Sequence, residues 1–352
     1  LIFYIVFGLK SAMGIELAHS LGAKNSRGTF ENLFAGIHLD FIMWVPICIL
    51  LYFLPKLLLM IGQSPDIVHL GRDYLWALIP GILPLFLACS AEQYLSAIEQ
   101  AHWLVVASVS AITLNLGLNY VLMYGKFGLP ALGITGIGLS TSIVDWLMFA
   151  SLALICLHQT PALKTTWRML LQFHRAALAR ILRLGTSISL ANGVEMGLLS
   201  ITTLGMGYFG AHALSGHQIA MQYTDFSVMI AAGIGQAASI MVSKAIGAKN
   251  PAQIKEAINA ALLLAVGFGV VMAALIALFS TAWIDLFFGH APHIAARHMA
   301  HQFLRVAIAI VMLDAIQFCT QQILRAMNDT TALLIMGVGT CWVVGLGAAL
   351  GL

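Results

Sequence analysis

The chain has 352 residues, of which 60% are hydrophobic and only 9% are charged, and its mean hydropathy is +0.93. This composition lies outside the range of soluble globular proteins and indicates a polytopic membrane protein. The formal net charge of +3 says little by itself, and we expect no nucleic-acid partner.

Ten apolar runs are long enough to cross a bilayer, whose core of about 30 Å needs roughly 20 residues per helix. The alternation typical of an outer-membrane barrel is absent from the sequence, and continuous apolar runs favour helices. The predicted fold class is therefore an all-α polytopic membrane protein. In chain order the predicted spans are 1–22, 33–55, 74–97, 103–124, 132–157, 184–209, 216–246, 257–280, 302–324 and 331–352.

Lysines and arginines fall unevenly on alternate loops, and the positive-inside rule assigns the richer side to the cytoplasm. That side holds Lys24, Arg27, Lys164, Arg168, Arg175, Arg180, Arg183, Lys244, Lys249, Lys255 and Arg325. The other side holds only Lys56, Arg72, Lys126, Arg297 and Arg305. The predicted cytoplasmic loops are 23–32, 98–102, 158–183, 247–256 and 325–330.

Two segments recur at a spacing of about 225 residues: "SLGAKNSRGTFENLF" (20–34) as "AIGAKNPAQIKEAIN" (245–259), and "MIGQSPDIVHLGRDYL" (60–75) as "FFGHAPHIAARHMAHQFL" (287–304). The period spans six helices, an even number, so the copies share one orientation about an axis along the membrane normal. We expect twelve helices in the intact protein, of which this chain is a fragment with about ten. The predicted lobes are 1–157 and 184–352, joined by a basic cytoplasmic linker at 158–183.

The linker sequence "PALKTTWRMLLQFHRAALARILRLG" (161–185) interleaves apolar and basic residues. One interpretation is an amphipathic helix on the anionic cytoplasmic leaflet. The other is a basic connection that only fixes topology.

Polar residues inside the apolar runs are costly in a bilayer and usually face a wet cavity or a partner. In the ninth run they follow one helical face, and the sixth and seventh runs carry similar rows, so three rows in one bundle predict a shared polar lumen. These rows are Asp314, Gln317, Gln321 and Arg325; Gln218, Gln222, Asp225 and Gln236; and Asn192, Glu195 and Thr202.

For Glu195 and Asp314 the functional interpretation is a cation or proton site, because a carboxylate in a low dielectric holds a proton or a metal ion. The alternative is a structural carboxylate hydrogen-bonded between helices, which we favour for Asp145 and Asp225. We interpret Glu16, Asp40, Glu92 and Glu99 as solvated residues near helix ends. The histidines of "HAPHIAARHMAH" (290–301) lack a completing carboxylate and are assigned to a solvated loop.

Four motifs together resemble the NorM-like branch of the multidrug and toxic compound extrusion (MATE) family. They are "LNLGLNYVLMYGKFGLPALGITGIGLST" (114–141), "ANGVEMG" (191–197), "ALSGHQIAMQ" (213–222) and "LDAIQFCTQQILRAMNDT" (313–330). The resemblance implies two six-helix lobes around a central cleft, and efflux of organic cations in exchange for Na⁺ or H⁺. It also implies a multi-pass protein of the bacterial inner membrane, which we expect to be monomeric, with membrane lipid and small cationic or amphipathic substrates as its partners.

The resemblance assigns roles to individual residues. Glu195 and Asp314 match the cation-coupling pair of the C-terminal lobe, and Gln218 matches a glutamine that faces the cleft. Asn115 and Asn119 match a pair that acts with an acidic residue of the first helix, which this chain does not contain. We add Asn192 and Gln317 as cleft-lining residues, and expect no cofactor other than the coupling ion, with Na⁺ at Glu195 and Asp314 as the one candidate metal. Ile310 stands where relatives can carry Tyr, which weakens the case for Na⁺.

Two functions other than antiport are compatible with a polytopic membrane protein. A lipid-linked oligosaccharide flippase has a related architecture but should line its cavity with Arg and Lys for pyrophosphate. A membrane-embedded enzyme would need a nucleophile with a base, or a metal set, at bilayer depth, and the sequence indicates neither.

Overall fold

The computed structural model describes residues 2–60, 62, 65–208, 211–288 and 294–336, and all regular structure within these ranges is helical. In α8 and α10 the described side chains begin at His217 and Leu304. The long helices are α1 (Ile2–Gly22), α2 (Ser26–Met60), α3 (Pro65–Ala97), α4 (His102–Tyr124), α5 (Ile134–Gln159), α7 (Arg175–Tyr208), α8 (Ala211–Gly247), α9 (Pro251–Phe288) and α10 (Ile294–Ala326). The short helices are α6 (Ala162–Thr166) and α11 (Thr330–Met336).

The nine long helices match the first nine predicted spans, but several are longer. α2 starts at Ser26 rather than at residue 33, because Asn25 caps its polar first turn through a hydrogen bond from Gly28 N to Asn25 Oδ1 (3.0 Å). Hydropathy marks only the apolar part of such a helix. Most of the tenth predicted span, 331–352, lies outside the described residues.

Among the described residues, six helices have a stretch long and apolar enough to cross a membrane, in α2, α3, α4, α5, α8 and α9. Their outer surfaces are apolar as well: Val106 and Ile112 of α4 are 55% and 62% exposed, and Leu263 of α9 is 75% exposed. Soluble proteins rarely expose contiguous apolar surface of this kind. Exposed aliphatic faces on helices of this length are suited to lipid contact.

Contacts between helices divide the chain into two compact units, one of residues 25–181 and one of residues 1–24 with 182–352. By contacts, α1 therefore groups with the C-terminal helices, since it packs against α8. The predicted lobes 1–157 and 184–352 describe the internal repeat of the intact protein, and they stay a prediction.

In the unit of residues 25–181, α3 and α5 pack closely along small residues. A Cβ placed on Gly81 would lie 2.8 Å from Ser142 Cα, so only glycine permits this approach. Pro84 has no N–H to donate to the Pro80 carbonyl. The indole Nε1 of Trp146 donates to that carbonyl instead (3.1 Å), which ties α5 to the proline-containing part of α3.

Asp40 was interpreted from the sequence as solvated, and the structure shows that this is wrong. Its residue is 1% exposed, and Ser90 Oγ of α3 donates a hydrogen bond of 2.6 Å to Asp40 Oδ2. The error comes from the helix start, because α2 begins seven residues before the predicted span and carries Asp40 deep into the helix. Asp40 and Ser90 form a buried polar contact between α2 and α3.

The Ser90→Ala variant should lower the free energy of unfolding by about 1.5–3 kcal/mol, the usual contribution of a hydrogen bond to a buried charged group. The melting temperature of the purified protein would report this loss. Ser151→Ala is the matched control, because Ser151 Oγ only bonds back to Met148 O of its own helix. Equal melting temperatures for the two variants would contradict the contribution assigned to the Asp40 contact.

The segment 161–185 is not one continuous helix. It forms α6, a 3₁₀ turn over Trp167–Leu171 and then, after extended residues, the start of α7 at Arg175. Its basic residues Arg175, Arg180 and Arg183 are exposed on the first turns of α7. The single amphipathic helix among our two interpretations is therefore wrong.

The internal repeat extends to the details of two turns. After α1, Lys24 adopts a left-handed conformation (φ 55°), and after α8 the equivalent Lys249 does the same (φ 53°). Asn25 caps α2, and the equivalent Asn250 caps α9 by accepting a hydrogen bond from Gln253 N (3.3 Å). The shared sequence "GAKN" thus encodes one turn twice: a helix end, a left-handed residue and an Asn cap.

The two copies of this turn meet in space, where the end of α1 crosses the end of α8. A Cβ on Gly22 would lie 1.9 Å from the carbonyl oxygen of Lys244, and a Cβ on Gly247 would lie 2.1 Å from that of His19. His19 is the repeat equivalent of Lys244, so the crossing is reciprocal, as expected at a two-fold axis. Both helix ends therefore lie at the same end of the helix bundle, as the prediction that the loops starting at 23 and 247 share one side requires.

The C-terminal helices position α10 by one apolar row. Val311, Ala315, Cys319 and Ile323 recur every four residues and are all buried. Val311 packs in a core cluster with α9, and Cys319 and Ile323 pack in a second cluster with α8 and α9. Burial of this row fixes the rotation of α10. The polar row that starts at Asp314 is thereby turned away from α9.

Candidate functional site

The predicted polar row of α10 is present on one face, and its members differ in exposure. Asp314 and Gln317 are half-buried, whereas Gln321 and Arg325 are 4% and 2% exposed. We assigned Arg325 to the cytoplasmic loop 325–330, and the structure places it in the last turn of α10, one residue before the helix ends. The row therefore runs from a carboxylate to a buried guanidinium within one helix.

Arg325 ties α10 to α7. Its Nη2 donates a hydrogen bond of 2.8 Å to Oδ1 of Asn192, which is itself 9% exposed. Charge-assisted hydrogen bonds of this length are among the stronger contacts in a protein interior. Asn192 is one helical turn before Glu195, so the bond brings the guanidinium to the face of α7 that carries the predicted coupling carboxylate.

Glu195 lies within electrostatic range of two other charged residues, Arg325 and Asp314. Arg325 attracts its carboxylate, and the carboxylate of Asp314 repels it. The structure thus brings together the two residues that the sequence predicted as a pair, and it adds a third charge. Two carboxylates and one guanidinium share a partly buried site on α7 and α10 of one unit.

Asp314 lies at a narrow crevice between α8 and α10. Thr224, Ser227 and Ala231 of α8 face Val311, Asp314 and Ala315 of α10 there. The crevice is too narrow for a water molecule. Small and hydroxyl residues of α8 thus pack directly beside the coupling carboxylate, an association that large side chains would prevent.

The predicted row on α8 is only partly explained. Gln218, Gln222 and Asp225 are exposed. A cleft-lining residue must be exposed, but an exposed side chain can face either the cleft or the surrounding lipid. The cleft-lining role of Gln218 and Gln317 therefore stays a prediction.

Asn115 and Asn119 are in contact, as their spacing predicted. Asn119 Nδ2 donates to Asn115 Oδ1 (2.9 Å), and Ser140 Oγ of α5 donates to Asn119 Oδ1. Sequence reasoning missed Ser140, although its place after the glycine-rich start of α5 was a usable signal, since glycines there let α5 approach α4 closely. A Cβ on Gly136 would lie 2.8 Å from the Leu122 backbone. These residues belong to the unit 25–181.

The described part of the chain includes many of the His, Cys, Asp and Glu side chains that could bind a metal ion. No group of three or more His, Cys, Asp or Glu side chains there is arranged to hold a metal ion. The side chains of His290, His293, His298 and His301 lie outside the described residues, so their assignment to a solvated loop stays a prediction.

The fold and the site together define a class of protein. Ionisable residues within membrane helices are rare, and they usually mark the path of a substrate or ion. A multi-pass helical protein with three interacting charges inside one helical unit has the features of a membrane transport protein.

Comparison with known proteins identifies the family. The family profile described as MatE matches residues 1–121 and 187–349. The chain belongs to the MATE family, whose members are transporters and not enzymes. This confirms both the family resemblance and the prediction that the chain is not an enzyme.

Individual relatives agree with this placement. The chain is 34% identical over 352 residues to the probable multidrug resistance protein NorM of Rhodopseudomonas palustris (strain ATCC BAA-98 / CGA009), covering 97% of this chain and 73% of the relative. A solved outward-facing multidrug resistance MATE transporter of the MOP superfamily aligns at a TM-score of 0.85, with 18% identity, over 98% of this chain and 76% of that one.

A third comparison limits what the fold implies. A MOP superfamily transporter from Pyrococcus furiosus Vc1 (DSM3638) aligns at a TM-score of 0.82, with 19% identity, over 98% of this chain and 76% of that one. It is described as having a binding pocket of reverse polarity that suggests a different function. These likenesses confirm the predicted all-α, two-lobe fold class, but cargo must be argued from charge, because one fold hosts several functions.

Proposed function

We propose that the protein is a secondary active antiporter, which exports small organic cations in exchange for Na⁺ or H⁺. The observation that carries the proposal is that Glu195 of α7 and Asp314 of α10 are carboxylates on two helices joined by the hydrogen bond from Arg325 Nη2 to Asn192 Oδ1 (2.8 Å), within electrostatic range of each other. Two carboxylates within electrostatic range of each other bind a cation more readily than either does alone, because each lowers the free energy of a positive charge at the other.

The mechanism follows from competition for this site. A coupling cation that enters from outside neutralises the carboxylates, and this biases the equilibrium between outward-open and inward-open states. The lobes 1–157 and 184–352 of the intact protein then rock against each other across the linker 158–183, as in transporters built from repeats. In the inward-open state an organic cation from the cytoplasm replaces the coupling cation, and the protein then returns to the outward-open state.

Charge also separates this function from that of the lipid-linked oligosaccharide flippase. A pyrophosphate cargo requires several cations in the cavity. The charged site here carries two carboxylates against one arginine. We therefore propose organic cations as cargo, and a monomer in the bacterial inner membrane with the linker and the loops 23–32, 98–102, 247–256 and 325–330 in the cytoplasm.

The proposal is tested with the full-length protein in proteoliposomes. We expect a fluorescent organic cation such as ethidium to move against an imposed Na⁺ gradient or an imposed pH gradient, and the effective gradient identifies the coupling ion. Protein-free vesicles provide the background rate. Absence of movement under both gradients, together with a melting temperature raised by lipid-linked sugars, would favour the flippase.

A further inference from the structure

Arg325 has no part in the coupling pair predicted from the sequence, yet it is the most deeply buried charge of the site. It is 2% exposed, and an arginine stays protonated even when buried. A buried charge without compensation is strongly unfavourable in a protein interior. Its position next to Glu195 therefore requires an electrostatic explanation.

One hydrogen bond holds the guanidinium in place, but not all of its N–H groups have a hydrogen-bond partner in the described part of the chain. Nη2 donates to Asn192 Oδ1 at 2.8 Å, whereas Nε and Nη1 have no hydrogen-bond partner among the described residues. Asn192 is neutral, so this bond orients the group without balancing its charge. One turn further along α7, on the face that Arg325 reaches through Asn192, lies the carboxylate of Glu195, whose negative charge offsets that of the guanidinium.

We propose, building on the function proposed above, that Arg325 is a fixed internal counter-ion that sets the charge of the transported cation at +1. Glu195 and Asp314 carry two negative charges, and Arg325 permanently cancels one of them. The empty site then has a net charge of −1, and a single monovalent cation makes it neutral. Burial favours the neutral site, because the free energy of a net charge in a low dielectric is high.

This charge count determines both exchange and selectivity. One coupling cation replaces one monovalent organic cation, so no net charge crosses the membrane in a cycle. A divalent organic cation would leave the site at +1 and is disfavoured. Arg325 is therefore a specificity-determining residue for cargo charge, acting through Glu195.

Replacement of Arg325 by glutamine changes the site to a net charge of −2. We expect the ratio of methyl viologen (divalent) to ethidium (monovalent) export to rise at least about tenfold, since one unit charge in a partly buried site changes the binding of another by roughly that factor. Arg325→Lys keeps the charge and should keep the ratio of the unmodified protein. Both rates are measured in proteoliposomes under the gradient that drives ethidium export.

Asn192→Ala separates the orientation of Arg325 from its charge, because it removes the hydrogen bond to Nη2 but leaves every charge in place. Its ratio of methyl viologen to ethidium export should therefore change much less than that of Arg325→Gln, whatever its export rate and melting temperature. If Arg325→Gln keeps the preference for ethidium, or if Asn192→Ala shifts the ratio as much as Arg325→Gln does, Arg325 acts only as a structural link and the proposal is wrong.

Lys10 of α1 is a second buried cation in the same unit, at 4% exposure. Lys10→Gln should leave the ratio unchanged, because the interactions of Glu195 are with Arg325 and Asp314. An equal shift for Lys10→Gln would overturn the assignment of the counter-ion to Arg325.

A measurement on the unmodified protein keeps the proposal testable if Arg325→Gln does not fold. The rate of ethidium exchange should be independent of a membrane potential set with K⁺ and valinomycin, after subtraction of the rate in protein-free vesicles. A carrier-dependent rate that follows the potential would disprove the +1 charge count. Complete absence of ethidium movement would instead contradict the antiporter function on which the count depends.

Discussion

Asp314→Asn should reduce gradient-driven export of ethidium at least tenfold, to the rate of protein-free vesicles, while the protein remains folded in the membrane. The side chain keeps its shape and its polarity, so the packing against Thr224 and Ser227 of α8 is retained. The negative charge is lost. With the charge of Glu195 offset by that of Arg325, the site would then be neutral without any coupling cation, and nothing would attract one.

Asp225→Asn is the control for this prediction. It is the same substitution on the adjacent helix α8, but Asp225 is exposed, and we interpret it as structural. Its export rate should stay within about twofold of that of the unmodified protein, and its melting temperature should match that of Asp314→Asn. Normal export by Asp314→Asn would exclude a coupling role for this carboxylate.

The helical fold could be predicted from the sequence because the membrane imposes it. Apolar runs of sufficient length must form helices in lipid, where each backbone group needs an internal partner. What hydropathy could not place was the polar first turn of helices such as α2 and α9, which extend past the bilayer core. The misassignment of Asp40 to solvent followed directly from that missing turn.

The candidate site was predicted in part. Helical spacing placed Asp314, Gln317 and Arg325 on one face, and this is confirmed by α10. Spacing carries no information on which helices approach each other, so it could not show that Arg325 bonds Asn192 on α7 or that Ser140 bonds Asn119. Counting Arg325 as a loop cation under the positive-inside rule also concealed its role, since that rule does not separate exposed from buried arginines.

The grouping of α1 with the C-terminal helices was missed for a related reason. The repeat predicts which segments are equivalent, but not that equivalent segments touch. Contact depends on the glycines at 22 and 247, which allow the ends of α1 and α8 to cross at backbone distance. The sequence "GAKN" signalled a turn, and the reciprocal fit of its two copies becomes visible only in three dimensions.

The crossing leads to the largest stability effects that we expect. Gly22→Ala and Gly247→Ala each place a methyl group about 2 Å from a carbonyl oxygen of the opposite helix (1.9 and 2.1 Å). The helix ends must separate to relieve this clash, at a cost of about 1–3 kcal/mol. This outweighs the gain of roughly 0.5–1 kcal/mol from replacing glycine by alanine in a helix. Because the crossing is reciprocal, both variants should melt at similarly reduced temperatures.

Gly233→Ala on α8 separates the clash from helix propensity, since no heavy atom lies within 4 Å of its Cβ position. This variant should melt at the original temperature or slightly above it, and a loss equal to that of Gly247→Ala would show that the crossing has no special cost. The double variant Gly22→Ala with Gly247→Ala is expected to lose less than the sum of the two single losses. Once one methyl group has moved the helices apart, the space for the second already exists, and substitutions that share a contact are not additive.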